Sequence, residues 1–379
     1  MTDYRNYPDP HPLANSDGIT LAFSEVKRIT LVPLRVTVRM GGGFIRRHAG
    51  FSLIELMISM TLGLAVFALL ATIFANTSKA RDELQRSSQQ IDNGRYAVDV
   101  LTEDLQVAGY YGELNVAGLA APAVLPDVCS TAPADWAAAM SLHVQGYDEG
   151  ASAPGCLPPS LKPNTDIVVV RRVRTCLADN AACEAIVPSK PYLQVGLCGA
   201  SANAYALGIA SDTAWPHTLK DCLTPAGRRL YVTHVYFVSD DNGSGASIPT
   251  LKRIELNGTG FTEVALVEGI ERLQIEYGID VDGDGSPDVY TSDPTSYAPP
   301  ACPTCTAPAN WSNVVTAKLH VLSRALEISP GYVNSKVYEL GLNAAGEPMR
   351  AGPFNDGYRR HVYSAAVRIV NPSGRRELP

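Results

Sequence analysis

Between Ile279 and Tyr290 the chain reads DVDGDGSPDV, with aspartates at 280, 282, 284 and 288 and a glycine at 285. Counted from Asp280, carboxylates stand at the first, third, fifth and ninth positions and the glycine at the sixth. That is the opening of a calcium loop of EF-hand type, in which hard oxygen ligands converge around a tight turn. The twelfth position, where such loops carry a bidentate glutamate, is Thr291, so that ligand has to come from elsewhere, with Asp293 the nearest carboxylate. The same residue types also build a solvated Asp-Gly hairpin turn. A second constellation, Cys302-Pro-Thr-Cys305, has the spacing of a thiol pair able to exchange disulfides, but Pro and Ala surround it and no strand feeds a helix there. A structural disulfide in a loop fits that setting better. The seven histidines show no HxxxH or HExxH spacing, and Gly243-Ser244-Gly245 lacks the strand and helix that a nucleophile elbow or phosphate loop needs. No catalytic set emerges, and a non-enzymatic protein is expected.

The third chemical oddity is Glu55. It is the only charged residue in the 25-residue run Phe51–Ala75, FSLIELMISMTLGLAVFALLATIFA. At about 1.5 Å per residue that run covers the roughly 30 Å hydrocarbon core of a bilayer. An ionisable group at this depth costs several kcal/mol unless something pairs with it, which makes Glu55 a functional residue rather than filler. Arg46-Arg47-His48 precede the run, so the positive-inside bias keeps the N-terminus in the cytoplasm and sends everything after Ala75 outward. Residues 1–50 carry seven Lys or Arg against four acids, whereas the whole chain has a net charge of −7. The body behind this basic leader is therefore acidic. That argues against a nucleic-acid coat, and the one basic cluster beyond the leader, Arg171, Arg172 and Arg174, reads as the polar side of a solvated strand.

All eight cysteines (Cys129, Cys156, Cys176, Cys183, Cys198, Cys222, Cys302, Cys305) follow the apolar run. An even number on the far side of a membrane anchor points to disulfides in an oxidising compartment. Pairing between sequence neighbours closes the shortest loops: 129 with 156, 176 with 183, 198 with 222, and 302 with 305.

The elements that carry these residues divide the chain in three: a leader over 1–50, a long helix over 51–109 whose part 51–75 is transmembrane, and a β-rich outer domain over 110–379. Leu84, Ile91, Val98 and Leu105 recur every seven residues, with Leu101 and Ala108 between them, and no proline falls between Phe51 and Pro122. That pattern predicts one continuous helix whose outer half packs on the domain. Strands are predicted over 166–174, 230–238, 250–256, 270–279, 314–322 and 360–370. The alternation of Val315, Ala317, Leu319 and Val321 with Thr316, Lys318 and His320 is the clearest. The fold class is α+β: a long N-terminal helix packed on an antiparallel sheet domain with Cys-rich loops.

Gly50-Phe51-Ser52-Leu53-Ile54-Glu55-Leu56 resembles the type IV prepilin signature. The resemblance implies that prepilin peptidase cuts between Gly50 and Phe51 and that Phe51 becomes N-methylated. It also implies that Glu55 pairs with the N-terminal amine of Phe51 on a neighbouring subunit during assembly, a pairing that physics favours because each buried charge is tolerable mainly when it meets the other. Met40–Gly50 alone has the length of a typical leader, so translation is expected to begin at Met40, leaving 1–39 outside the protein.

Residues 270–278 with the aspartate loop, Asn313–Lys318 and the C-terminal YRRHVYSAAVRIVNPSGR resemble the PilW group of minor pilins. From that resemblance follows a minor pilin that primes pilus assembly in a tip complex and supports twitching motility, adhesion or DNA uptake. Its partners are then other minor pilins and the major pilin through the helix, with an adhesin at the tip. It passes from the inner membrane to the pilus and cell surface. The spacing of the aspartate loop separately makes calcium the expected cofactor. The rival readings are a minor pseudopilin of a type II secretion system, which shares the leader and helix, and a membrane-anchored periplasmic thiol oxidoreductase built on Cys302 and Cys305.

Overall fold

The structure, a computed structural model, describes Gly50 and residues 52–116, 119–150, 153–178, 183–199, 205–299 and 305–377. The leader up to residue 49, Phe51 and Cys302 lie outside the described residues. The chain divides into two compact units, one ending at Val66 and one running from Phe67 to the C-terminus.

One helix, α1 (Leu53–Gln106), contributes to both units. From Leu53 to Phe74 its large apolar side chains are exposed, and it is long and apolar enough to cross a membrane. Within the second unit α1 buries Gln90, Gly94, Ala97, Leu101, Asp104 and Leu105, a face with steps of three and four. The heptad stripe read from sequence holds only at its C-terminal end, because Leu84 is 71% exposed and Ile91 38%. Seven residues fall about 20° short of two turns, so over three repeats Leu84 has drifted roughly 60° from the line of Leu105. Ionic and amide contacts take the place of apolar packing at that level. Glu83 pairs with Arg359, Arg86 with Glu327 (2.9 Å), and Gln90 donates to the Ser323 carbonyl (3.0 Å).

The rest of this unit holds two antiparallel sheets. The larger contains β1 (Val144–Tyr147), β2 (Ile167–Val173), β3 (Pro191–Val195), β4 (Tyr205–Ile209), β5 (Arg228–Ser239), β6 (Thr250–Leu256) and β7 (Phe261–Glu268). Its strand order is β1-β2-β5-β3-β4, and β6 and β7 extend from the far half of β5. The smaller runs β13 (Arg360–Arg368), β10 (Val314–Arg324), β8 (Ile270–Ile279), β9 (Val289–Thr291). A hairpin of β11 (Tyr338–Leu342) and β12 (Pro348–Ala351) stands apart. Short helices α2 (Pro133–Ala139), α3 (Ala307–Ser312) and α4 (Val370–Arg376) complete the order.

The six strands predicted from sequence are present. Three of the others are concealed by length or composition: β1 has four residues including Gly146, β3 begins on a proline, and β4 contains Gly208. The main core joins α1 (Ala97, Leu101, Leu105) to the inward residues of both sheets, among them Val168, Val170, Tyr236, Leu273, Ile275, Leu319 and Val321. Trp311 is fully buried there, edge-on to Tyr277 with 4.7 Å between ring centroids. Gly146 is required beneath this pair, since a Cβ at that point would fall 2.4 Å from the Tyr277 hydroxyl and 2.9 Å from the Trp311 ring.

In the cysteine-rich middle, Cys129–Cys156, Cys176–Cys183 and Cys198–Cys222 are bridged, with Cα separations of 5.5, 6.1 and 4.9 Å. Cys305 is also disulfide-bonded. The expected pairing of Cys305 with Cys302 lies outside the described residues.

Candidate functional site

Gly50 is exposed, and the carbonyl of Ser52 accepts the N–H groups of Glu55 (3.0 Å) and Leu56 (3.1 Å), which closes the first turn of α1. Glu55 therefore sits where the helix dipole favours an anion. The polar side chains farther along the apolar run satisfy themselves on the helix backbone: Ser59 donates to the Leu56 carbonyl, Thr61 to Ile58, and Thr72 to Leu69. Such back-bonding makes a hydroxyl compatible with lipid. A carboxylate has no donor of that kind, and among the described residues no cation stands beside Glu55. Within the apolar stretch Leu53–Phe74, Glu55 is thus the polar side chain that the helix backbone does not satisfy.

At the other end of α1 a buried polar hub fixes the helix to the larger sheet. The Asp104 carboxylate accepts Arg172 Nε at 2.6 Å, His234 Nδ1 at 2.6 Å and the Tyr236 hydroxyl at 2.7 Å. Burial alone would raise the Asp104 carboxyl, but the hydrogen bond and charge of His234, the charge of Arg172 and the Tyr236 hydroxyl hold it well below the usual carboxylate range. This corrects the reading of Arg171 and Arg172 as part of a solvated strand face, whereas Arg174 is exposed as expected. Arg171 is 2% exposed and donates to the Leu142 carbonyl (3.0 Å) and Gln145 Oε1 (2.8 Å), while Arg174 pairs with Glu184. β2 is paired on both edges, by β1 and β5, and six of its seven residues are buried, so both of its faces are covered as well. Alternation alone does not show that a strand is internal. All three arginines are engaged by partners within the domain.

The aspartate loop closes the β8–β9 hairpin, whose last paired residues are Ile279 and Val289. Calcium-loop and hairpin-turn readings thus describe the same segment. Asp280 is fully buried; its Oδ1 accepts Gly283 N–H (2.7 Å) and its Oδ2 accepts Gly285 N–H (2.9 Å). Gly285 has φ of +89° and lies against the Ser373 carbonyl, so neither its backbone nor its surroundings admit a side chain. Asp288 Oδ2 accepts the N–H groups of Val281 (2.7 Å) and Asp282 (3.2 Å).

Carboxylate oxygens of Asp280, Asp282 and Asp288 lie within 4.8 Å of one another. Asp284 stands outside this group with its Oδ1 on Ser286 N–H, and Asp293 instead caps Thr295 N–H. Three of the four sequence candidates therefore converge, and the substitute twelfth ligand does not join them. All three are hard oxygen donors of the kind calcium takes. Sequence gave no sign of the cation already present: Arg376 on α4 donates to Asp280 Oδ2 at 2.9 Å. Burial would raise the Asp280 carboxyl, yet Arg376 and the two glycine amides hold it below its ordinary value.

A helix whose apolar half is exposed, with its polar outer half docked to an antiparallel domain stapled by disulfides, defines the pilin-like class of α+β proteins. Residues 45–73 match the prokaryotic N-terminal methylation motif, which spans the Gly50–Phe51 junction and Glu55. Residues 235–371, from within β5 to the start of α4, match Type IV Pilus-assembly protein W. No curated protein and no solved structure matches the chain. The methylation motif at one end and this matched domain at the other support a type IV pilin of the PilW family.

Proposed function

We propose that this protein is a minor pilin that primes type IV pilus assembly and sits in the tip complex, where it supports twitching motility, adhesion or DNA uptake. The observation that carries the reading is α1: its first half offers exposed apolar side chains, a few hydroxyls satisfied on the helix backbone and one unsatisfied carboxylate, a surface that needs either lipid or neighbouring helices of the same kind. Other minor pilins and the major pilin supply those helices. The large outer domain suits a tip position, where it has only one neighbour below it. Deleting the gene is expected to abolish surface pili and twitching while leaving protein secretion intact. Intact pili with lost exoprotein secretion would instead assign the chain to a type II secretion pseudopilus.

We also propose that the β8–β9 loop takes up calcium through Asp280, Asp282 and Asp288. Binding is weak because Arg376 already neutralises Asp280, the deepest of the three. Calorimetric titration of the full-length protein is expected to show saturation only at millimolar calcium, together with a rise in thermal stability. Asp282→Asn removes both effects, because Asp282 is exposed and has no part in the core. No heat and no stabilisation at millimolar calcium would end the calcium reading.

A further inference from the structure

A cavity of about 260 Å³ opens between α4, the segment 140–143 and the chain that leaves α1. One side is apolar, lined by Val116, Leu119 and Met140; the other presents His143, Arg375 and Ser141. The polar side has more positive charge than its own carboxylates neutralise. Arg376 is spent on Asp280, but among the described residues no carboxylate stands within ion-pairing distance of Arg375 or of Arg171 behind it. Arg375 makes one long hydrogen bond, 3.3 Å from Nη1 to the Gly109 carbonyl, which leaves most of its guanidinium donors uncommitted.

Two hydroxyls in the same region are buried without a partner among the described residues: Ser141 Oγ on the cavity wall and Tyr111 OH, which is within electrostatic range of both Arg171 and Arg375. A buried hydroxyl left unpaired is costly, and clustered guanidiniums repel one another unless an anion joins them. The histidine at the site does not add to this charge. Burial first, then the neighbouring arginines 375, 376 and 171, push its imidazole down to about 3, so it stays neutral with one nitrogen on the Val314 carbonyl at 2.6 Å.

We propose that this cavity binds a carboxylate carried on a short apolar body, Arg375 and Ser141 taking the oxygens and Leu119 and Met140 receiving the chain. The apolar half is what separates such a ligand from inorganic phosphate, which has nothing to place against those side chains. A free short-chain acid and the glutamate side chain of a docked protein share this chemistry.

The test is calorimetric titration of the full-length protein in detergent with butyrate, with N-acetylglutamate amide as the protein-like carboxylate, and with butanol and inorganic phosphate as comparators. Both carboxylates are expected to bind saturably, and whichever is tighter names the source. Arg375→Gln weakens them by about tenfold or more, as loss of a charge-assisted contact requires, and Arg375→Lys recovers part of the loss. Ala121→Trp, at an exposed position on the rim, blocks entry without touching the arginines, so the result does not depend on how well the Arg375 variants fold. The proposal is overturned if butyrate gives no saturable heat, if butanol binds as well, if phosphate binds more tightly, or if neither Arg375→Gln nor Ala121→Trp changes the affinity.

Discussion

Replacing Asp104 with alanine is expected to destabilise the outer domain by about 3–5 kcal/mol, the range found when one partner of a buried charged network is removed. The magnitude follows from what the substitution leaves behind. Arg172 loses its carboxylate, His234 its acceptor, and the Tyr236 hydroxyl keeps only Arg253 at 3.2 Å. Little of the loss is apolar, so filling the space with leucine does not recover it.

The same hub predicts a pH dependence. The folded Asp104 carboxyl is held below its ordinary value of 3.8. Its contribution is therefore fully present above about pH 4 and is lost as pH falls through the lower folded value. The groups around it are Arg172 on β2, His234 and Tyr236 on β5, and Arg253 on β6. Urea unfolding measured from pH 7 downwards is expected to show a steeper loss below pH 4 for the wild type than for Asp104→Ala. Parallel curves, or a loss under about 1 kcal/mol at neutral pH, would contradict this account of how α1 is fixed to the domain.

The second large effect concerns assembly rather than stability. Glu55→Gln is expected to leave processing and membrane insertion intact and to remove the protein from sheared pili. A neutral amide is easier to hold in hydrocarbon than a carboxylate, which costs about 2.5–3.5 kcal/mol near the bilayer centre even on permissive scales. The variant therefore sits in the membrane at least as well as the wild type. It loses the charge that draws the carboxylate towards the terminal amine of a neighbouring subunit. Immunoblots of the membrane fraction and of sheared fibres separate the two steps. Normal incorporation of Glu55→Gln into fibres would show that the carboxylate has no part in packing.

The parts of this architecture that sequence revealed are those with one-dimensional signatures. The apolar run with its lone Glu55, the alternation along β10 and the aspartate spacing each state their own geometry within a few residues. What sequence concealed depends on partners distant in the chain. Arg172 meets Asp104 across 68 positions and Arg376 meets Asp280 across 96, and no local pattern marks either pair. Leu84 and Ile91 misled for a related reason: a heptad looks constant in sequence but rotates along a straight helix, and which part of the stripe is covered depends on where the domain sits. The cavity beside Arg375 belongs to the same group, assembled from α4, the turn after α2 and the segment leaving α1.

Cleavage between Gly50 and Phe51, just ahead of α1 (Leu53–Gln106), is tested most directly by intact-mass spectrometry of the protein purified from membranes. The expected species starts at Phe51, carries one added methyl group on its N-terminus, and is replaced by the leader-bearing precursor in a strain lacking prepilin peptidase. A mature protein that keeps its leader in the wild-type strain, or one cleaved beyond Ala75 as an ordinary secretory signal would be, would contradict it.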